Sequence, residues 1–397
     1  MPMPFLDKLP SKTAIAGFTA LAFSMLPLGA AAFDTQARSA YVYDMGTSTV
    51  LLQKNADVPL PPASMSKLMT LYVAFEFIKS GLLNLDDTLP VSEHAASYTG
   101  STMFLNTTDR VKVRDLILGI IVLSGNDACA VLAEALSPDG TEAGFAALMT
   151  QKAKDIGLAE STFVNSNGWP APGQRMSMRD LGILAERLIV DHPEFYPLFS
   201  ERVFEFDGRA PANTRNRNPL LGLNIGADGL KTGHTQEAGY GLVGSAKQGD
   251  RRVIFVVSGL DSAGQRAEES EAIVNWAFRQ FALKSFAKSG DVIARARVWN
   301  GDQDSVGLQI ADDLDQLVPV LQSDDVAFSI ELNTPLPAPI AQGQQIGELV
   351  IDVPTLGERR VPLVAETDVN MGGFFTRLST AAQTLMRSVT QEPEDVF

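Results

Sequence analysis

Ser64 and Lys67 are the residues of this 397-residue chain whose types and spacing point most directly to chemistry. They stand three positions apart at the start of an apolar segment, and residues with that spacing share one face of a helix. A serine hydroxyl becomes a good nucleophile only when a base removes its proton. A lysine can be that base where burial or a neighbouring cation favours its neutral form. The pair therefore predicts covalent catalysis on Ser64.

Two further short motifs follow in the chain. Ser124-Gly125-Asn126 interrupts an apolar region, and Lys231-Thr232-Gly233 lies in a predicted strand. Single matches are weak evidence, because Ser285-Phe286-Ala287-Lys288 also fits S-x-x-K and further Lys-Ser-Gly triplets begin at Lys79 and Lys288. The ordered set S-x-x-K, S-x-N and K-T-G is far more specific. No S-x-N follows Ser285, so we set that match aside.

The elements that must hold these motifs alternate between strands and helices. Ser39–Gln53 predicts a hairpin, and Ala63–Ser80 is apolar on nearly every face, as expected of a helix in the middle of a domain. Residues 114–136 predict two apolar helices that are separated at Ser124–Asp127, and Ser177 is the predicted cap of a helix that ends at Val190. The other predicted elements are strands at 202–206, 228–232, 239–246 and 251–260 and a helix at about 267–283. This alternation predicts an α/β fold with an antiparallel sheet.

After that helix the sequence changes to short alternating segments. Residues 291–366 predict a small all-β module, with a tight turn at Asn300-Gly301 and a loop that contains Pro335, Pro337 and Pro339. The predicted strands of this module are Val292–Val298, Ser305–Ile310, Ala327–Leu332 and Gln345–Ile351.

The end of the chain predicts an amphipathic helix. Between residues 374 and 389 the apolar side chains fall within about 140° of arc on a helix. Such a helix either docks on its own domain or lies in the surface of a membrane. Phe374 and Phe375 favour the membrane, whereas the small number of basic residues and the acidic tail weaken that interpretation.

Residues from about 37 to 390 resemble a low-molecular-weight penicillin-binding protein, a serine D-alanyl-D-alanine carboxypeptidase. The resemblance extends beyond the three motifs to SGNDAC at 124–129, DGLKTGHT at 228–235 and AGYGLV at 238–243. It implies a β-lactamase/transpeptidase-like α/β domain, an antiparallel sheet with helices and a helical lobe, followed by a small all-β domain and a C-terminal amphipathic helix. We divide the chain into a signal peptide at 1–32, a catalytic domain at 33–284, a β-rich domain at 285–370 and a helix with an acidic tail at 371–397.

The resemblance also implies roles for the motif residues. Ser64 would attack the amide between the last two D-alanines of a peptidoglycan stem peptide, with Lys67 as general base. Lys231 would keep Lys67 partly neutral by like-charge repulsion, and Asn126 would orient it. Ser124 would relay a proton to the departing D-alanine. The residues that would contact the substrate are Lys231, Thr232, Gly233, His234 and Arg217.

The resemblance also implies groups that would bind the oxyanion and the terminal carboxylate of the substrate. The oxyanion would be held by backbone N–H groups, by analogy those of Ser64 and His234. Arg217 and Thr232 would take the terminal carboxylate, a task suited to a guanidinium. Arg215 lies two residues from Arg217, so either arginine could instead be a solvated surface charge.

Hydrolysis of the acyl-enzyme needs a base, and Lys67 is the obvious one. A class A β-lactamase would use a glutamate on a loop after S-x-N. Glu134 and Glu142 lie in or beside a predicted helix, and the surroundings of Glu160 are unlike that loop. We therefore expect slow release of penicillin and normal turnover of peptide.

Three other functions share the same motifs. A serine β-lactamase needs neither the β-rich module nor a membrane-seeking helix. A D,D-endopeptidase would cut cross-links with the same serine chemistry, and a choice of substrates decides between the two peptidases. A catalytically inactive wall-binding scaffold would have lost a catalytic side chain, yet Ser64, Lys67, Ser124, Asn126 and Lys231 are all present.

The first residues are typical of a secretory signal peptide. Lys8 and Lys12 precede an uncharged, mostly apolar run from Ala14 to Leu28, and Ala30-Ala31-Ala32 offers small residues at a cleavage site. The run is short for a membrane span. We expect an exported, periplasmic protein that is attached peripherally to the inner membrane by its C-terminal helix.

Composition limits the partners and cofactors. A net charge of −15 and a pI of about 4.7 argue against nucleic-acid binding. The single cysteine, Cys129, excludes an internal disulfide, and the three histidines are far apart in the sequence. We expect neither a metal nor an organic cofactor. The expected partners are the peptidoglycan pentapeptide, β-lactam antibiotics and the inner-membrane surface.

Overall fold

A computed structural model describes residues 33–209, 211–332 and 334–373. The predicted signal peptide at 1–32 and the predicted amphipathic helix at 374–389 lie outside these residues. Within the described residues, no helix is both long and apolar enough to cross a membrane. The first part of the chain forms, in order, β1 (Ser39–Asp44), β2 (Thr49–Lys54), α1 (Lys67–Lys79), β3 (Thr88–Pro90), α2 (Glu93–Ala96), β4 (Arg110–Lys112), α3 (Val113–Leu118), α4 (Asn126–Leu136), α5 (Glu142–Asp155), α6 (Met178–Asp191), β5 (Ala227–Thr235), β6 (Gly239–Gln248), β7 (Arg251–Leu260) and α7 (Ala263–Gln280).

Five antiparallel strands in the order β2-β1-β7-β6-β5 form the main sheet, with apolar cores on both faces. Successive residues of a strand point to opposite faces, and β7 shows this directly. Ile254 and Val256 belong to the core shared with α1, α4 and α6, whereas Val253, Phe255 and Val257 belong to the core under α7. The expected antiparallel α/β sandwich is confirmed.

Helix α1 lies inside the helical side of this sandwich. Its residues from Lys67 to Phe75 are all buried, which matches the prediction from a segment that is apolar on nearly every face. A short 3-10 helix, Ala63–Ser66, leads into α1. The motif Ser64–Lys67 therefore stands where a tight turn enters a buried helix, and neighbouring elements fix its position.

Two predictions in this part were wrong, the strand at 202–206 and the end of the helix predicted at about 267–283. Residues 202–206 do not form a strand, since Val203 makes only an isolated bridge with Arg215 and its side chain is exposed. Helix α7 ends at Gln280, before the predicted end at 283, because Phe281 begins a strand that pairs with Pro319. That ladder satisfies the backbone of this segment and buries Phe281.

The second part of the described chain is all-β, as predicted. Its strands are β8 (Phe281–Ala287), β9 (Val292–Trp299), β10 (Ser305–Ile310), β11 (Leu314–Pro319), β12 (Ala327–Leu332), β13 (Leu336–Pro337), β14 (Gln345–Val353) and β15 (Gly357–Ala365). A six-stranded sheet has the order β12-β14-β15-β10-β9-β13, and β8 pairs with β11 in a separate ribbon. Asn300 adopts a positive φ of 57° in the predicted turn, and the proline loop contains the two-residue strand β13, which pairs with β9.

Candidate active site

The Ser64 hydroxyl lies beside a buried amine. Ser64 is half-buried in the 3-10 helix, and Lys67, one turn further on, is fully buried. The distance from Lys67 Nζ to Ser64 Oγ is 3.0 Å. The i, i+3 spacing thus places both groups together, as the sequence predicts.

Lys67 Nζ has two further acceptors. It donates to Asn126 Oδ1 at 2.7 Å and to the backbone oxygen of Asn167 at 2.5 Å. Burial lowers the pKa of Lys67 to about 8, and the positive charge of Arg217 also acts to lower that pKa. A substantial fraction of Lys67 is therefore neutral near pH 8, and a neutral amine can accept the proton of Ser64.

The motif Ser124-Gly125-Asn126 forms the turn between two buried helical segments. A π-helical turn, Gly119–Leu123, follows α3, and Ser124 then takes a left-handed conformation with φ 62°. Asn126 begins α4 and is held on its other side, because its backbone N–H donates to Ser101 and its Nδ2 donates to Thr99 O at 2.9 Å. The irregular turn thus points the two polar side chains of the motif at the two lysines.

Strand β5 brings the third motif to the same place. Lys231 is buried, and its Nζ lies 3.0 Å from Ser124 Oγ. Burial first, and then the charges of Lys67 and Arg217, hold the pKa of Lys231 well below its usual range. The charge of Lys67 thus lowers the pKa of Lys231, whereas the expected effect of Lys231 on Lys67 stays a prediction. Burial, rather than Lys231, is the largest cause of the lowered pKa of Lys67.

The remaining residues of that motif line the outer end of β5. A Cβ at Gly233 would lie 3.0 Å from Met65 Cγ and 3.1 Å from Pro62 O, so the small residue lets the strand approach the turn that carries Ser64. Thr232 is buried. His234 is exposed and stacks on Tyr240 with ring centroids 3.9 Å apart.

Arg217 reaches the same cleft, whereas Arg215 does not contact it. Arg217 donates to Ser101 Oγ at 2.7 Å and to Leu123 O at 3.1 Å, next to Ser124. The backbone of Arg215 bridges Val203, and its side chain is exposed.

Sequence reasoning missed two groups of this site, the Asn167 carbonyl that accepts from Lys67 and the Ser101 hydroxyl that accepts from Arg217. The Asn167 contact is made by a backbone oxygen, and Ser101 lies in a segment without a recognisable motif. The only signal was the turn-forming composition of Asn165-Ser166-Asn167-Gly168, which predicts a loop but not its partner.

The structure gives other partners to the carboxylates of two of the three glutamates considered as deacylation bases. Glu134 accepts from Ser92 Oγ at 2.8 Å, and Glu142 accepts from Ser166, Tyr98 and His94. Glu160 is exposed, and its backbone N–H bonds Asp180.

The second S-x-x-K sequence, Ser285 to Lys288, begins at an exposed strand residue instead of at the start of a buried helix. Ser285 is an exposed residue of β8, and Lys288 pairs with Asp313 at 2.9 Å. Among the residues that the structure describes, no group of three or more His, Cys, Asp or Glu side chains is arranged to hold a metal ion.

This fold and site define a class of protein: a serine enzyme with the active-site arrangement of penicillin-binding proteins and serine β-lactamases. Residues 27–262 match the peptidase S11 family, described as D-alanyl-D-alanine carboxypeptidase, and residues 281–371 match the C-terminal domain of penicillin-binding protein 5. The chain belongs to the D-alanyl-D-alanine carboxypeptidase family. It is a penicillin-binding, serine-type carboxypeptidase that acts on peptidoglycan.

Individual relatives agree with this assignment. The D-alanyl-D-alanine carboxypeptidase DacC of Escherichia coli is 37% identical over 379 residues, which cover 92% of this chain and 93% of the relative. The crystal structure of the carboxypeptidase DacD from Francisella tularensis is 31% identical and superposes with a TM-score of 0.74 over 90% of this chain and 99% of that one. Penicillin-binding protein D2 of Listeria monocytogenes, in its ampicillin-bound form, is 33% identical with a TM-score of 0.56 and covers 62% of this chain and 98% of its own.

Proposed function

We propose that Ser64 is the nucleophile that removes the terminal D-alanine from the pentapeptide stem of peptidoglycan. The observation that carries this proposal is the half-buried Ser64 hydroxyl at 3.0 Å from the amine of Lys67. Burial lowers the pKa of that amine to about 8, so it is a base of suitable strength near neutral pH.

In the acylation step, Ser64 Oγ attacks the carbonyl carbon of the penultimate D-alanine while its proton passes to Lys67 Nζ. The carbonyl oxygen of the tetrahedral intermediate accepts hydrogen bonds from the backbone N–H groups of Ser64 and His234. The C–N bond then breaks, and Ser124 Oγ delivers a proton to the departing D-alanine amine. Ser124 regains a proton from Lys231, whose Nζ lies 3.0 Å away.

The terminal carboxylate of the substrate binds at Arg217 and Thr232. The guanidinium of Arg217 donates to three oxygen atoms beside the cleft, Ser101 Oγ, Leu123 O and Asn213 Oδ1. A carboxylate can take such donors as charge-assisted hydrogen bonds. Gly233 keeps β5 close enough to Ser64 for the strand to contact the peptide, and exposed His234 lies beside it.

Transfer of the Ser64 proton from Lys67 to Lys231 restores both lysines to their starting states. Water then attacks the Ser64 ester and gives a proton to Lys67, which returns it to Ser64 Oγ as the shortened peptide leaves with a new carboxylate. Penicillin acylates Ser64 by opening its own ring amide. We propose that this ester persists, because Glu134 and Glu142 are held by other donors and Glu160 is exposed. None of these three glutamates is therefore poised as a second base.

The test is acylation by a fluorescent penicillin, followed over time, together with release of D-alanine from a pentapeptide. The wild-type protein should keep one stable label and release D-alanine, and Ser64→Ala should do neither. Ser285→Ala is the matched control, because it removes the exposed serine of the second S-x-x-K sequence, and it should behave like wild type.

Each other result would assign a different activity. A label that vanishes within seconds would identify a β-lactamase. Cleavage of cross-linked peptide in preference to the pentapeptide would identify an endopeptidase. No label on the wild-type protein would contradict the role of Ser64.

We also propose that the chain is exported, processed after residue 32 and attached to the inner membrane through its C-terminal segment. The charged, apolar and small-residue regions of 1–32 and the amphipathic pattern of 374–389 support this. The division of the mature chain after residue 284 also stays a prediction, and β8, from Phe281 to Ala287, crosses it.

Truncation after Met371 tests the attachment, because it removes the whole pattern. The truncated protein should move from the membrane fraction to the soluble fraction, and Phe374→Asp with Phe375→Asp in the full chain should do the same. If either variant sediments with membranes as before, the helix is not the anchor.

A further inference from the structure

Glu142 is a buried carboxylate at the start of α5 that receives hydrogen bonds from two separate segments. Its exposed fraction is 8%. Ser166 donates to Glu142 Oε1 twice, from its backbone N–H at 2.9 Å and from its hydroxyl at 2.5 Å. Tyr98 OH donates to Oε2 at 2.7 Å, and His94 Nε2 lies 2.7 Å from the same oxygen.

The first of these segments holds Lys67. Ser166 O accepts from Thr70 Oγ1 on α1, and the next carbonyl, that of Asn167, accepts from Lys67 Nζ at 2.5 Å. Both residues are fully buried. Glu142 therefore anchors, from behind, the stretch of backbone that supplies one of the three acceptors of Lys67.

The second segment forms the rim of the cleft. Tyr98 contacts Trp169 edge to face, with ring centroids 6.3 Å apart, and Thr99 O accepts from Asn126 Nδ2 at 2.9 Å. Asn126 Oδ1 is itself an acceptor of Lys67 Nζ. Glu142 is thus hydrogen-bonded to both backbone segments that position the acceptors of Lys67, at Ser166 in one and at Tyr98 in the other.

The charge of Glu142 also acts on Lys67. Burial opposes ionisation of Glu142, but hydrogen bonds from Ser166, Tyr98 and His94 outweigh it and lower the pKa of Glu142 below its usual range. The carboxylate is therefore ionised at neutral pH. Its negative charge raises the pKa of Lys67, against the larger effect of burial. The other titratable groups that face Lys67 are Cys129 and Asp127 from α4, Lys231 from β5 and Arg217.

We propose that Glu142 is a positioning residue for the Ser64–Lys67 pair, which it serves by holding the Asn167 carbonyl against Lys67 and by placing a fixed negative charge behind that amine. The inference rests on the proposed role of Lys67 as the base. The geometry behind it is independent of that role, because it consists of contacts from Glu142 to Ser166 and Tyr98.

Glu142→Gln tests the proposal, since it keeps the shape and removes the charge. We expect the second-order rate of acylation by penicillin to fall about tenfold, because small displacements of catalytic groups cost that much or more. We also expect the rising limb of the rate against pH to move to lower pH. Loss of the negative charge favours the neutral form of Lys67, so its pKa falls.

The pH profile separates positioning from a structural role. If Glu142 only stabilises the fold, Glu142→Gln lowers the melting temperature and leaves the limb where it was, and that result overturns the proposal. Glu134→Gln is the matched control, because it neutralises a glutamate whose carboxylate bonds Ser92. It should leave both the rate and the limb unchanged.

A second variant covers the case in which Glu142→Gln does not fold. Ser166→Ala keeps the charge and the backbone bonds and removes one of the donors to Glu142. It should slow acylation at least twofold, and an unchanged rate contradicts the proposal. If Lys67→Ala is acylated as fast as wild type, the proposed function fails. If Lys67→Ala is inactive while the Glu142 variant equals wild type, this inference alone fails.

Discussion

The amine of Lys231 lies 3.0 Å from the hydroxyl of Ser124, the same separation that joins Lys67 to Ser64. The active site therefore contains two serine–lysine pairs, one from α1 and its preceding turn and one shared between β5 and the turn before α4. Both lysines are buried, and burial lowers the pKa of each. This arrangement suits the proposed roles, in which one pair takes a proton from the nucleophile and the other gives a proton to the leaving group.

Removal of the Ser124 hydroxyl should slow the release of D-alanine and should have little effect on the stability of the fold. Ser124→Gly is the informative change, because φ is 62° at this position and glycine adopts that conformation without strain. We expect a loss of about 10²-fold in kcat/KM for pentapeptide, the usual size of a general acid–base contribution.

Ser48→Gly is the matched control for this variant. Ser48 also has a positive φ, 55°, and lies in the turn between β1 and β2. It should keep full activity, as measured by D-alanine release. A Ser124→Gly protein that turns over peptide like Ser48→Gly would remove Ser124 from the mechanism.

The rate of acylation should rise with pH and level off above about 8. Lys67 must be neutral to accept a proton, and burial lowers its pKa to about 8. Below that pH the neutral fraction falls about tenfold per pH unit. Stopped-flow acylation by penicillin between pH 5 and pH 10 measures this limb. A rate that stays constant from pH 5 to pH 8 would show that neutral Lys67 is not required.

Arg217→Gln should weaken peptide binding and move the rising limb of the acylation rate to higher pH. The variant loses a charged donor for the terminal carboxylate, which should cost about 10–100-fold in kcat/KM for pentapeptide. It also removes a positive charge that lowers the pKa of Lys67. The pKa of Lys67 should therefore rise, and a higher pH is needed to deprotonate that lysine.

Arg215→Gln provides the control for Arg217, because Arg215 lies two residues earlier in the same segment and makes none of the hydrogen bonds to Ser101 and Leu123 that Arg217 makes. It should leave both the peptide kinetics and the pH profile unchanged. Equal losses in the two variants would mean that the segment binds substrate only through its overall charge.

The sequence predicted the parts of this site that depend on regular spacing. Ser64 and Lys67 meet because they are three residues apart at the start of a helix, and β5 was recognisable as a strand around Lys231. The general layout of helices and strands followed from apolar periodicity, which reports the burial of whole faces.

The parts that the sequence did not predict depend on long-range backbone contacts. The Asn167 carbonyl reaches Lys67 across 100 residues of sequence, and every residue type carries the same backbone oxygen, so the identity of residue 167 gives no signal. Residues 202–206 alternate as a strand would, and Phe204 and Phe206 pack against the core, but Val203 pairs with Arg215 only in an isolated bridge, so no strand forms. Phe281 was read as helical because an apolar residue at a helix end resembles the first residue of a buried strand.

Gly168→Ala should lower the stability of the fold and the rate of acylation. Gly168 follows Asn167 in the chain and packs against the turn that carries Ser64. Its φ is +81°, and a Cβ there would overlap Ala63 O and approach Ser66 Oγ to 2.6 Å. The backbone on one side must therefore move, which displaces Asn167 O from Lys67 or Ser64 from its place. The left-handed conformation and the overlap together should lower the free energy of unfolding by about 2–5 kcal/mol.

Gly157→Ala separates conformational cost from displacement of the site. Gly157 has a similar φ of +86°, but a Cβ there would meet no atom within 4 Å. Urea denaturation should therefore show a loss of only about 1–2 kcal/mol, the cost of the left-handed conformation alone. The rate of acylation by penicillin, measured on the folded fraction, should stay at the wild-type value in Gly157→Ala and fall at least tenfold in Gly168→Ala. If the two variants are acylated equally fast, the contact between Gly168 and Ala63 does not control the position of the nucleophile.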